Sequence, residues 1–446
     1  MMKRRVLASL LLFGIATPAF SEAVEDRLYA SSKAAQLAGK VMTVAGPVDP
    51  AVLGSTLMHE HLAYDWFEGV RHSASSAAQR KQFGHRMAQA GWRSPRTDED
   101  WRFFNSRDVT LDMIDEMRRD RRVGVNYRSI PPDDLAPELQ RFYAAGGRAI
   151  VDLTPEGLGR NTQALKRISA KTRLHVIAGA GWYRWPFHPR YIRDRSVDEL
   201  VAHLGAMVIT GDANGVRSGI IGEIPVDSRS IRISESGPIP ESAEIERRSS
   251  LARIMLLREP ARTRGDMPIG NIYDSAELKV LRAAARTARI TGAALALHVT
   301  DPWLGFVGIL EAEKVDLGRV IVGHAHPILA DPELRASALQ RGLVLQADYL
   351  LQHYPTKAPL SDPDPILDGI IWAVRNGYRG QILLSLDICN RIGLKRYGGG
   401  GYTTLHSYVL PALKARGLTE EDVRAILVEN PRRLLTLAPP QHPVTR

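Results

Sequence analysis

The sequence predicts an α/β protein whose parallel strands close into a barrel, on three observations. Short β-rich runs recur eight times, amphipathic helical patterns separate most of them, and five of the runs break into metal-capable side chains at their carboxyl ends. The runs are Val52–Met58, Arg148–Leu153, Leu174–Ala180, Val216–Ile224, Ala293–His298, Arg319–Val322, Leu343–Gln346 and Gln381–Leu386. Segments such as Leu278–Ile290 and Ala330–Arg341 carry helical periodicity between them, as crossover helices of a parallel sheet would. Eight strands are the number that closes a (β/α)8, TIM-like barrel. A doubly wound open sheet is the structural alternative, but it offers no reason to place ligands on five separate strands.

The first run ends in His59-Glu60-His61. On a strand, residues i and i+2 share a face, so both imidazoles point one way and Glu60 points away from them. The fourth run ends in Gly222-Glu223, the fifth in His298, the sixth in Gly323-His324 and the eighth in Asp387. A single strand-end His or Asp is ordinarily a surface or hydrogen-bonding residue. Four imidazoles and two carboxylates in register are instead the ligand set of a binuclear site for divalent ions such as zinc.

The 446 residues suit one large domain or two ordinary ones, and 44% hydrophobic with 24% charged residues marks a globular chain with a sizeable core. Residues 1–21 combine Lys3, Arg4 and Arg5 with an apolar stretch from Val6 to Phe20 and small residues Ala19 and Ser21. That is the pattern of a signal peptide, too short and wrongly flanked for a spanning helix, and it implies a periplasmic or secreted protein. Without those three cations the balance is 56 basic against 49 acidic side chains, the mark of a solvated surface more than of a polyanion binder. No nucleic-acid motif occurs. The lone cysteine, Cys389, excludes an intramolecular disulfide.

Residues 22–446 read as one barrel domain with excursions at about 66–135, holding Trp66, Trp92 and Trp101, and at about 228–272, rich in Arg, Glu, Ser and Pro. Residues 388–401 end in four glycines and are expected to form a mobile loop; no Gly-Lys-Ser/Thr follows, so they are not a phosphate-binding loop. Loops after the strand carboxyl ends are where barrel enzymes set specificity.

The chain resembles the phosphotriesterase family of the amidohydrolase superfamily. The matching text is Gly54-Ser55-Thr56-Leu57-Met58-His59-Glu60-His61-Leu62, Val151-Asp152-Leu153-Thr154, Gly157-Leu158-Gly159-Arg160, Gly222-Glu223-Ile224, Gly323-His324, Ser385-Leu386-Asp387 and the tail around Glu429-Asn430-Pro431. The resemblance implies a binuclear metal-dependent hydrolase. His59, His61 and Asp387 would hold one ion, His298 and His324 the other, and Glu223 would bridge them. Many family members carry a carbamylated lysine at the bridging position. Here no lysine lies between Lys171 and Lys279, so Glu223 must serve, as in the proteins called phosphotriesterase-related. The cofactor expectation is two divalent ions, zinc first, with cobalt, manganese or iron as alternatives.

Two such ions sharing one water would lower its pKa to near neutrality and give a hydroxide that attacks a phosphotriester, lactone or other ester-like bond, with Asp387 taking the proton. Asp152 and Asp348, at the ends of the second and seventh runs, are candidates to orient the histidines. Trp182, Tyr183 and His188 resemble the family's pocket-lining residues, and His326 stands where an acidic residue is common, suiting proton relay or substrate contact. The expected partner is a small ester-like molecule, with a homodimer plausible from the resemblance. Other readings are an amide or lactone hydrolase with no phosphotriesterase activity, and an exported metal-binding protein without catalysis. A serine hydrolase finds no Gly-x-Ser-x-Gly elbow.

Overall fold

A hairpin of β1 (Val41–Thr43) and β2 (Gly46–Val48) precedes eight further strands in the computed structural model. The structure describes residues 32–66, 109–119, 124–184, 187–226, 274–299, 304–350 and 364–441, with Leu28, Lys81 and Pro302. The eight strands are β3 (Ser55–Glu60), β4 (Gly147–Asp152), β5 (His175–Ala180), β6 (Ile220–Val226), β7 (Leu295–Val299), β8 (Val320–Gly323), β9 (Val344–Ala347) and β10 (Ile382–Leu384). Each pairs in parallel with the next in chain order. The last strand returns to the first: the Asp387 amide donates to the His59 carbonyl at 3.1 Å. The fold is the expected (β/α)8 barrel, and each of the eight sequence runs overlaps one of its strands.

Period-2 alternation divides the strand side chains between two cores. Met58, Val151, Ile177, Ile220, Ala296, Ile321, Val344 and Leu383 fill the barrel interior. Their neighbours Leu57, Ile150, Val176, Ile221, Leu295, Val322, Leu345 and Leu384 face the helical layer. Val41 of the hairpin and Leu434 and Leu435 near the carboxyl terminus join the interior set.

Local chemistry moves several boundaries. Val52 belongs to a 3₁₀ turn, Pro50–Val52, capped by Asp49, and is 46% exposed, so the first strand starts only at Ser55. The fourth run begins later than expected, at Ile220, and continues to Val226. The helical pattern Ala330–Arg341 is two helices, His326–Ala330 and Pro332–Gln340. Asp331 breaks it by leaving the helical conformation and accepting the amides of Glu333 and Leu334, with Pro332 opening the new turn. Residues 388–401 are packed: 3₁₀ turns at Arg391–Gly393 and Lys395–Tyr397 are tied back through Gly401 N to Gly393 O at 2.9 Å. The hairpin β1–β2 carried no clear sequence signal. The proposed signal segment 1–21, the excursion 228–272 and most of the excursion 66–135 lie outside the described residues. Among those described, no helix is long and apolar enough to cross a membrane.

Candidate metal centre

At the carboxyl end of the barrel, six side chains from five strands converge, all buried. Glu223 lies at the middle. Its Oε1 stands 3.3 Å from His59 Nε2 and 3.2 Å from His324 Nε2, and it is bonded to His298 Nδ1; its Oε2 stands 3.9 Å from His61 Nε2. Asp387 Oδ1 is 3.3 Å from His61 Nε2 and 3.7 Å from His59 Nε2. His59, His61, Glu223, His298, His324 and Asp387 thus form overlapping triads whose donor atoms lie within 4.8 Å of one another.

Strict alternation would not produce this cluster. Met58 faces the interior, yet so does the imidazole that follows it. The pairing of β3 with β4 shifts register between Leu57 and Glu60, and that of β6 with β7 between Ile221 and Ile224. These irregularities re-aim His59 and Glu223. His324 and Asp387 instead adopt left-handed backbone, φ +56° and +47°. The glycines of the Gly-Glu and Gly-His pairs have a packing reason. A Cβ on Gly222 would stand 2.7 Å from that of Ala296, and one on Gly323 would stand 2.5 Å from the Leu297 carbonyl.

Polar partners hold each ring. Asp348 takes His59 Nδ1 on Oδ2 at 2.8 Å and His324 Nδ1 on Oδ1 at 2.9 Å. His61 Nδ1 meets Thr154 Oγ1 at 3.0 Å. Asp152, a sequence candidate for orienting a histidine, accepts the amides of Leu62, Ala63 and Thr154 instead, fixing the loop that carries those groups. Glu60 points away from the imidazoles, into the seam between β3 and the end of β10. Sequence reasoning assigned it no role.

Burial opposes protonation of His59, but Glu223, Asp387 and Asp348 outweigh it and hold its pKa well above the usual value. The His61 pKa is raised and that of His324 reaches about 9, again against burial, through Asp387 and Asp348 respectively. For His298, burial prevails and lowers it to about 4. Glu223 and Asp348 resist the upward push of burial and lie well below the carboxylate range because these imidazoles surround them. The raised imidazole values show that the carboxylates Glu223, Asp348 and Asp387 make a basin that attracts positive charge. His59 Nε2 and Asp387 Oδ1 are buried without a hydrogen-bond partner among the described residues. Such atoms are costly to bury unless something fills their valence. Two divalent ions fit this donor set.

The four expected pocket residues sit differently. Tyr183 packs edge-on against His298, ring centroids 4.8 Å apart, and its hydroxyl is 3.3 Å from His298 Nε2. It joins an aromatic wall with Tyr64, Trp66, Tyr127 and Phe187. The Arg184 guanidinium stacks on the Tyr183 ring at 5.8 Å, and its charge further disfavours protonation of His298. His188 neighbours this wall, and its Nε2 is buried without a partner among the described residues. Trp182, expected in the pocket, belongs to the outer core: its Nε1 donates to Tyr191 Oη at 2.7 Å, and Tyr191 is bonded to Glu156. Alternation sends its side chain opposite to that of Tyr183. His326 opens the helix after β8, and its Nε2 accepts the Tyr349 amide at 3.1 Å, which ties it to the β9 loop. Tyr349 stacks on His324 at 4.3 Å and was not singled out from sequence.

Similarity to known proteins agrees with this geometry. The sequence profile of the phosphotriesterase family matches residues 39–243 and 267–435. N-acetyltaurine hydrolase of Rattus norvegicus is 28% identical over 413 residues, 90% of this chain and 99% of that protein, and the Homo sapiens protein of that name is 27% identical over 411 residues. Among solved structures, a resiniferatoxin-binding protein from Rhodobacter sphaeroides is 28% identical with TM-score 0.69, covering 91% of this chain and 98% of that one. The lactonase Lmo2620 from Listeria monocytogenes shares the fold at 18% identity and TM-score 0.60, covering 89% of this chain and 99% of its own. With both segments of the family profile spanning the five ligand-bearing strands, the chain belongs to the phosphotriesterase family and is a hydrolase.

Proposed function

We propose that the protein is a binuclear metal-dependent hydrolase of small acyl compounds, cleaving an amide, lactone or related ester bond. The convergence of His59, His61, Glu223, His298, His324 and Asp387, with two buried donor atoms lacking hydrogen-bond partners among the described residues, carries this reading. His59, His61 and Asp387 would hold one ion, His298 and His324 the other, with Glu223 shared. Zinc suits the mixed imidazole and carboxylate donors. The amide preference rests on the N-acetyltaurine hydrolases; the phosphotriester expected from the family name has no such support among these relatives.

When bound, the ions supply Lewis acidity that acidifies water and polarises the scissile carbonyl or phosphoryl group. The chain's own residues do the rest. The Asp387 carboxylate is the base that takes the proton of the attacking water and returns it to the leaving group. Asp348 keeps the His59 and His324 rings from turning. The Tyr64, Trp66, Tyr127 and Phe187 wall excludes bulk water, while Tyr183 and Arg184 offer a hydroxyl and a cation beside His298. His188 and His326 remain candidates for substrate contact.

The test is a substrate panel with zinc- or cobalt-loaded protein: an N-acyl amino sulfonate, a γ-lactone, an aryl ester and an aryl phosphotriester. Hydrolysis of the amide or lactone is expected, with metal and activity lost together in His59→Ala and His298→Ala while far-UV circular dichroism is kept. Glu223→Gln should weaken both ions, and loss of only one would show that it is no bridge. The similarity to a resiniferatoxin-binding protein favours a second reading, a metal-holding binder without catalysis; turnover of nothing in the panel would select it. The amino-terminal pattern supports export, which sequencing the mature amino terminus tests, and gel filtration tests the dimer.

A further inference from the structure

We infer that Glu60 is the positioning residue of Asp387, a clamp that holds the ligand loop in its binding shape before any ion arrives. The inference rests on the reading of Asp387 as a ligand. Glu60 is fully buried, and its Oε1 accepts the Leu386 amide at 2.9 Å and lies 2.8 Å from Ser385 Oγ, while Oε2 accepts the Ile388 amide at 2.9 Å. The two amides flank Asp387 on either side. The amide of Asp387 itself donates to the His59 carbonyl at 3.1 Å. Three consecutive N–H groups are therefore fastened to two residues of the His-Glu-His motif. Asp387 needs such restraint, because its φ of +47° is a conformation that residues with a Cβ seldom adopt.

The centre repeats the device. His324, the other ligand with left-handed backbone, donates its amide to both oxygens of Asp348 at 3.1 Å. In each case a buried carboxylate from a neighbouring strand holds the backbone of a ligand that leaves the extended conformation. A seam between extended strands closes with backbone bonds alone; a carboxylate is needed where the chain turns its amides out of ladder geometry. Between β3 and β10, where no ladder is formed, Glu60 supplies those acceptors. Closing the barrel and aiming Asp387 are thus one act, and the middle residue of the motif performs it.

Glu60→Gln tests this, because the amide that replaces one oxygen faces a backbone N–H donor. Wild-type metal-free protein titrated with Co(II) is expected to take two ions. Glu60→Gln should keep the wild-type far-UV spectrum, bind one of the two ions at least about ten-fold more weakly and alter the cobalt d–d absorption. In an Asp387→Asn background the same change should bring no further loss. Two ions bound with wild-type affinity and spectrum, or an equal loss in both backgrounds, would overturn the positioning role and leave the metal reading intact. A wild-type protein that takes no cobalt overturns both. Should Glu60→Gln fail to fold, deuterium exchange on the wild-type metal-free protein decides: slow exchange at Leu386 and Ile388 is expected, and fast exchange refutes the clamp.

Discussion

Asp348 and His324 are joined twice over: the carboxylate accepts the His324 backbone amide at 3.1 Å and approaches its ring Nδ1 at 2.9 Å. The same carboxylate reaches His59 on its other oxygen. One buried group thereby sets the rotation of two imidazoles on strands that are not neighbours. Asp348→Asn should lower metal affinity or kcat/KM by roughly 10–100-fold, because its amide nitrogen offers a donor where a ring N–H requires an acceptor. Equilibrium dialysis with zinc, beside kcat/KM on the substrate found in the panel, checks this. Unchanged values in both would contradict the orienting role.

Gly323 is expected to tolerate no side chain. The Cβ of Gly323→Ala would press on the Leu297 carbonyl at 2.5 Å, pushing β8 from β7 just before His324. The expected result is a folded barrel with one ion bound weakly. Metal analysis after gel filtration reads it, and a variant that keeps two ions would show that the strands give way.

Arg286 sits buried between two acidic side chains, with Nε to Glu313 at 2.8 Å and Nη1 to Asp198 at 3.2 Å. Arg286→Ala leaves two buried carboxylates to compete for what remains, a change that typically costs about 3–5 kcal/mol. Urea denaturation of the metal-free protein should show it. A cost under about 1 kcal/mol would mean that water replaces the guanidinium.

The contribution of His188 to stability should fall in mild acid. Burial lowers its pKa from 6.5 to about 4, with Lys279 acting in the same direction and a hydrogen bond with the Tyr183 backbone opposing. Between those values the unfolded chain binds the proton and the folded chain does not. The contribution is therefore full above the unfolded value and is lost as pH falls through the folded one. His188→Gln removes this term, so its urea midpoint should drop less than that of the wild type between about pH 7.5 and about pH 5. Equal drops would show that His188 does not titrate in this window.

The sequence by itself determined the eight strand positions, since runs of apolar residues bounded by polar breaks reflect burial on both faces, a property of local composition. It also determined which metal-capable side chains converge, because imidazoles and carboxylates at the ends of such runs have no use in a core. What it could not decide is where they point. Alternation from Met58 would turn His59 outward, and only the shifted register against β4 brings it in. Trp182 beside Tyr183 looked like pocket lining, yet a partner nine residues on, Tyr191, holds it in the outer core. The role of Glu60 depends on Leu386 and Ile388, more than three hundred residues away in the chain. Orientation at a bulge, a left-handed residue or a barrel seam is set by hydrogen bonds between distant segments. Those bonds exist only once the sheet has curled onto itself.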